Sequence, residues 1–147
     1  MQDHRVIVNV EVAVVRDGQY LATVRGGGEE YGAGWLGFPG GKANPAPAMS
    51  NVLEETARRE VREEVGLDLD GPIDYVESHT FAIGDEIVLD VVMLARSTTD
   101  DPYLAAPDEV AGIEWLPFEA FRDDPRTQPW TRDSLVLVEL RRLELDW

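Results

Sequence analysis

The run Ile87-Val88-Leu89-Asp90-Val91-Val92-Met93-Leu94 is apolar at every position but one. A strand with one wet face alternates apolar and polar residues, so a nearly continuous apolar run predicts a strand covered on both faces. Any fold that holds it must place a layer on each side of a sheet. The run is also far short of the ~20 apolar residues that cross a bilayer, so no membrane span is expected.

The rest of the chain supplies those layers. Val6 to Val15 and Tyr20 to Val24, joined by Asp17-Gly18, predict a β-hairpin. Gly26 to Gly34 reads as a flexible loop, Trp35 to Phe38 as a short strand, and Pro39-Gly40-Gly41 as a chain break. After a loop from Lys42 to Ser50, the stretch Asn51 to Val65 lacks Gly and Pro and predicts a helix. Asn51 and Glu54 have the spacing of a capping box at its start, and Gly66 stands where a left-handed residue closes a helix. Strands follow at Ile73 to Ala82 and Ile87 to Ser97 around the turn Gly84-Asp85, then a short strand at Ile113 to Leu116. Pro117 opens a brief helix through about Arg122, and Thr131 to Leu145 forms the closing helix. The 147 residues, with no repeat or linker, are expected to form one domain over 1–147. Its class is a mixed sheet between helices, α/β in the loose sense or α+β if the helices segregate.

Charge narrows the function. The net charge of −16 repels nucleic-acid backbones and anionic membranes, so neither is an expected partner. A polyanionic small molecule would instead need a local cation. The absence of cysteine removes disulfides and zinc-thiolate sites. With no basic and then apolar leader in its first residues, a cytoplasmic protein is the expectation.

On the helix, Leu53, Ala57, Val61 and Val65 fall on one apolar stripe, and Glu60, Glu63 and Glu64 share an adjoining arc of ~100°. Glu55, Arg58 and Arg62 lie on the far side and are expected to face water. Glu60 and Glu64 repel each other at spacing four, and Glu63 crowds Glu60 at spacing three. The three carboxylates therefore form either a solvated acidic face or a cation site. Oxygen donors without His or Cys favour Mg²⁺ or Mn²⁺, ions that keep waters and substrate phosphates in their shells.

The run Arg59-Glu60-Val61-Arg62-Glu63-Glu64-Val65-Gly66-Leu67 resembles the second half of the Nudix box, Arg-Glu-aliphatic-x-Glu-Glu-x-Gly-aliphatic. Trp35-Leu36-Gly37-Phe38-Pro39-Gly40-Gly41 before it and Glu114-Trp115-Leu116-Pro117 after it also look like that family. The box departs from the pattern twice. Asn51 stands at the first glutamate position, and nine residues separate it from Gly41 where the pattern has five.

The resemblance implies a Nudix-type mixed sheet sandwiched between helices. It also implies a Mg²⁺-dependent pyrophosphohydrolase that cleaves a phosphoanhydride in a nucleoside diphosphate-linked or nucleoside triphosphate compound by attack of water. Glu60, Glu63 and Glu64 would hold the metal, and Arg59 would orient a carboxylate or the loop. Gly41 would let the backbone approach closely, while Arg25, Trp35 and Phe38 could contact phosphate or stack a base. Glu63 and Glu109 are the candidate general bases, with Asp108 and Glu86 behind them. The partner implied is a small-molecule nucleotide, with room for a homodimer. Asn51 and the longer loop motivate an alternative, a degenerate nucleotide-binding sensor.

Gly26-Gly27-Gly28 lacks the Lys-Ser/Thr of a P-loop, and no Gly-x-Ser-x-Gly elbow exists. His4 and His79 read as structural or exposed.

Overall fold

The computed structural model describes residues 4–29 and 31–147. Residues 1–3, in the predicted lead-in, and Glu30, in the predicted Gly-rich loop, lie outside the described residues. Seven strands are present among the described residues: β1 (Ile7–Arg16), β2 (Gln19–Arg25), β3 (Leu36–Gly37), β4 (Gly40–Lys42), β5 (Leu69–Ile83), β6 (Glu86–Ser97) and β7 (Val110–Pro117). Three helices accompany them: α1 (Val52–Val65), α2 (Phe118–Asp123) and α3 (Pro129–Leu145).

All strands join one mixed sheet in the order β3-β2-β1-β6-β5, with β4 also on β1 and β7 on β2. β1 is its hinge. All of it but the last residue runs parallel to β6, from Ile7↔Val88 to Val15↔Arg96. Its other edge pairs antiparallel with β4 at Asn9 to Glu11 and with β2 at Val15 and Arg16. The hairpin turn uses positive φ at Asp17 (51°) and Gly18 (74°), the backbone a tight two-residue turn demands.

Alternation along β1 and β6 builds two cores. Val10, Val12, Val14, Val91, Met93 and Ala95 face α1, where Ala57, Val61 and Val65 are fully buried and Leu53 packs partly. Ala13, Val15, Val92 and Leu94 point the other way, onto Phe38, Phe121, Leu135 and Val138. Ile87, at the open end of the apolar run, is 45% exposed, but from Val88 to Leu94 the run is buried or nearly so at every position, as covering on both faces requires. The polar exception, Asp90, is itself 2% exposed. No helix among the described residues is long and apolar enough to cross a membrane.

Three local readings need correction. Asn51 adopts the left-handed conformation (φ 55°, ψ 42°) and makes no side-chain capping bond, so the capping box does not form. A capping side chain needs the extended backbone of a normal N-cap to reach the N2 or N3 N–H, and a left-handed residue does not provide it. Pro39-Gly40-Gly41, expected as a break, contributes to strand β4, because β1 offers free backbone groups there. Arg58, expected to face water, bridges forward to the carbonyls of Leu69 (3.1 Å) and Gly71 (2.9 Å). Gly66 closes α1 as expected, with φ 69° and its N–H on the Arg62 carbonyl.

Candidate active site

The C-terminal half of α1 lies beside β4, and the two meet through glutamates and glycines. Glu64 Oε1 accepts a 2.9 Å hydrogen bond from the Gly40 N–H. A Cβ on Gly41 would come within 2.5 Å of the Glu60 carboxyl carbon, so any side chain there would displace the Glu60 carboxylate from its present place. Arg59 links the two elements, with Nη2 donating to the Lys42 carbonyl (2.8 Å) and to Glu60 Oε1 (2.9 Å). Its Nε stands 3.8 Å from Glu63 Oε1.

The three helix carboxylates are not equivalent. Glu60 and Glu64 are 9% and 6% exposed, whereas the Glu63 side chain is 57% exposed. Burial raises the Glu60 carboxyl above its ordinary range; the Arg59 bond and charge oppose this, and Glu63 and Glu109 add to it. Glu64 is pushed up to about 8, first by burial and then by the charges of Glu60, Glu109 and Glu29, against the Gly40 hydrogen bond. Glu109, from the loop before β7, thus shares an electrostatic neighbourhood with both buried glutamates. Nothing in the sequence marks Glu29, since an acidic residue in a Gly-rich loop carries no signal of its own.

The donor set suits a hard divalent cation. It consists of oxygens, and the raised Glu64 pKa marks a buried carboxyl without a sufficient counter-charge. As the side chains stand, no three His, Cys, Asp or Glu among the described residues are gathered to hold a metal together. Glu63 is turned outward.

Other expected residues lie at varying distances from this cluster. Arg25 folds back on its own loop, donating to the Tyr31 carbonyl (2.7 Å) and Glu29 Oε2 (3.2 Å), and its charge also bears on Glu11. Phe38 is 7% exposed and packs on Phe121 with ring centroids 5.5 Å apart, inside the α3-side core. Asp108 is exposed, and Glu86 opens β6 at the tip of the β5–β6 hairpin. The lengthened loop stands over the start of α1. It leaves a cleft of about 240 Å³ between Asn44, Pro45 and Met49 and helix residues that include Val52, Thr56 and Arg59.

A second polar group lies on the α3 side of the sheet. Asp90 accepts from Asn9 Nδ2 at 2.7 Å and stands 3.5 Å from His79 Nε2. Burial, with the hydrogen bond and charge of Asp90 and the charge of Glu77, holds the Glu11 carboxyl well above its ordinary value. Glu77 also accepts from Ser134 Oγ on α3 at 2.6 Å.

Similar proteins share this architecture. A MutT Nudix hydrolase from Burkholderia pseudomallei superposes with a TM-score of 0.74 at 26% identity, over 92% of this chain and 99% of that one. The MutT protein from Methanosarcina mazei Go1 gives 0.79 at 22% identity, over 97% and 99%. The Nudix domain of Shewanella oneidensis NrtR, complexed with ADP-ribose, gives 0.70 at 18% identity, over 97% and 90%. No curated protein sequence matches the chain. A model of the NUDIX domain matches residues 5–137, which takes in every strand and the glutamate-bearing helix, and the chain therefore belongs to the Nudix family.

Proposed function

We propose that the chain, acting as one domain over 1–147, is a divalent-metal-dependent pyrophosphohydrolase of a nucleoside diphosphate-linked or nucleoside triphosphate compound. The observation that carries this reading is the pair of buried carboxylates, Glu60 and Glu64, set against Gly40 and Gly41, with the charge of the exposed Glu109 bearing on both. Such an arrangement is costly without a cation and useful with one. Glu60, Glu63 and Glu64 would hold Mg²⁺ or Mn²⁺, Glu63 turning in from its exposed position. The bound metal would neutralise phosphate charge and acidify the attacking water.

The chain's own groups would do the rest. Arg59, pinned to the Lys42 carbonyl, holds the Glu60 carboxylate in place. Glu109 or Glu63 takes the proton from water as its oxygen bonds to phosphorus. The bridging P–O bond breaks, and its electron pair leaves with the departing phosphate. Gly41, Arg25 and Phe38 remain the proposed substrate contacts; Arg25 and Phe38 would have to yield part of their present packing. The ADP-ribose held by the NrtR domain supports the ligand class, since a related fold accommodates a nucleoside diphosphate sugar.

Turnover of a panel of nucleotide compounds with Mg²⁺, Mn²⁺ or EDTA tests the reading. Activity should vanish on chelation and return with metal. Glu63→Gln should lose at least ~100-fold in turnover. Glu55→Gln, exposed on the helix, should stay within about threefold of the native chain. Equal rates for all three proteins would overturn the catalytic assignment. Tight nucleotide binding with no hydrolysis of any compound would establish the sensor in its place.

A further inference from the structure

The Gly-rich stretch after β2 is a loop, as its composition suggests, but its first residues are docked on the segment that precedes β7. The Gly26 N–H donates to the Glu109 carbonyl at 2.8 Å, and the Gly28 N–H to the Asp108 carbonyl at 3.1 Å. These bonds extend the β2–β7 pairing past the register shift that joins Val24↔Gly112 to Arg25↔Val110. A shift of this kind bends the strand and re-aims the side chains beside it. The contact has no space for side chains. A Cβ on Gly26 would overlap the Asp108 carbonyl oxygen and stand 2.9 Å from the Glu109 carbonyl carbon. A Cβ on Gly28 would stand 2.8 Å from the same Asp108 oxygen. Gly27, between them, faces open space, and none of the three has positive φ.

The far side of the Glu109 loop is tied to the active-site helix. The Ala105 N–H donates to the Glu64 carbonyl at 3.2 Å, and the Tyr103 N–H to the Val65 carbonyl at 3.0 Å. A turn closes the loop, with the Glu109 and Val110 N–H groups both on the Ala106 carbonyl. The backbone of Glu109 is therefore gripped between the end of α1 and the glycines after β2.

We infer that Gly26 and Gly28 are positioning residues that set where the Glu109 carboxylate stands relative to Glu60 and Glu64, through backbone docking that only glycine permits. The inference rests on Glu109 serving as the proton acceptor in the proposed hydrolysis. Neither glycine touches substrate; each acts through Glu109.

A double-mutant cycle on the full chain, with Mg²⁺ and the best substrate of the panel, separates this role from a merely structural one. Gly26→Ala and Gly28→Ala should each lower kcat by ~10- to 100-fold, the scale of a displaced catalytic group, with KM changed by less than about threefold. Gly27→Ala should leave both constants unchanged. In a Glu109→Gln background the two alanine substitutions should cost no more than about twofold, because the group they position is already gone. Equal losses in both backgrounds, or an equal loss from Gly27→Ala, would overturn the positioning role while leaving Glu109 as base. Full activity of Glu109→Gln alone would instead remove the base assignment, and the positioning role with it. If Gly26→Ala fails to fold, the milder overlap at Gly28 carries the cycle. Loss of folding in both would assign these glycines to stability and overturn the inference.

Discussion

Asn51 occupies the box position where the family pattern carries a glutamate, and its backbone explains part of the departure. It is exposed and left-handed, a conformation asparagine tolerates far better than residues with longer side chains. Asn51→Glu should therefore lower the melting temperature slightly and change turnover by less than about threefold, since surface changes cost within about 0.5 kcal/mol and strain adds a little more. A rise from no detectable hydrolysis to robust turnover would show instead that the native chain is a disabled member. Glu11 allows a second test at this scale. Its carboxyl is raised in the folded protein from an ordinary value of 4.5, so its contribution to stability is intact below about pH 4.5 and is lost as pH rises through the raised folded value. Glu11→Gln keeps a donor toward Asp90 and cannot ionise. Its melting temperature relative to the native chain should rise as pH climbs above the ordinary carboxyl value of 4.5; a difference independent of pH would show that Glu11 is not held protonated.

At the scale of elements, α1 and α3 contrast in how much their sequences reveal. The apolar residues of α1 fall at Leu53, Ala57, Val61 and Val65, so its buried face follows from helical periodicity alone. In α3, apolar residues surround the axis: Leu135 and Val138 are fully buried, while Val136, Leu137, Leu140 and Leu143 are 41–60% exposed. No periodicity distinguishes the two sets; packing on Phe121, Val92 and Leu94 does. Leu135→Ala should cost ~2–5 kcal/mol in denaturant titration, and Leu143→Ala within about 0.5 kcal/mol. Comparable losses would mean that α3 is rotated from this placement. Strand boundaries behaved similarly. β5 begins at Leu69 rather than Ile73, because pairing with Ser97 and Arg96 resumes across an irregularity at Gly71-Pro72, where local signals say turn.

For the whole molecule, 29 acidic against 13 basic residues leave a self-repelling shell. Its arginines offset part of this by bridging, as Arg126 does to Glu114 and Asp124 and Arg141 to Asp74. Exposed pairs of this kind contribute less than about 1 kcal/mol each. Screening should therefore stabilise the fold, and the melting temperature should climb as NaCl rises from about 0.02 M to about 0.5 M. A fall would mean that the ion pairs outweigh the repulsion. The sequence alone determined the two-faced strand, the glutamate-bearing helix with its closing glycine, and the family. Each of these rests on spacing within a few residues, where periodicity and backbone sterics act. Tertiary structure decided which glutamates are buried, that Glu11 meets Asp90, and that Gly26 and Gly28 grip Glu109. Those contacts join strands and loops far apart in the chain, as Asn9 and Asp90 do across 81 positions, and no local pattern records a partner met only when the sheet closes.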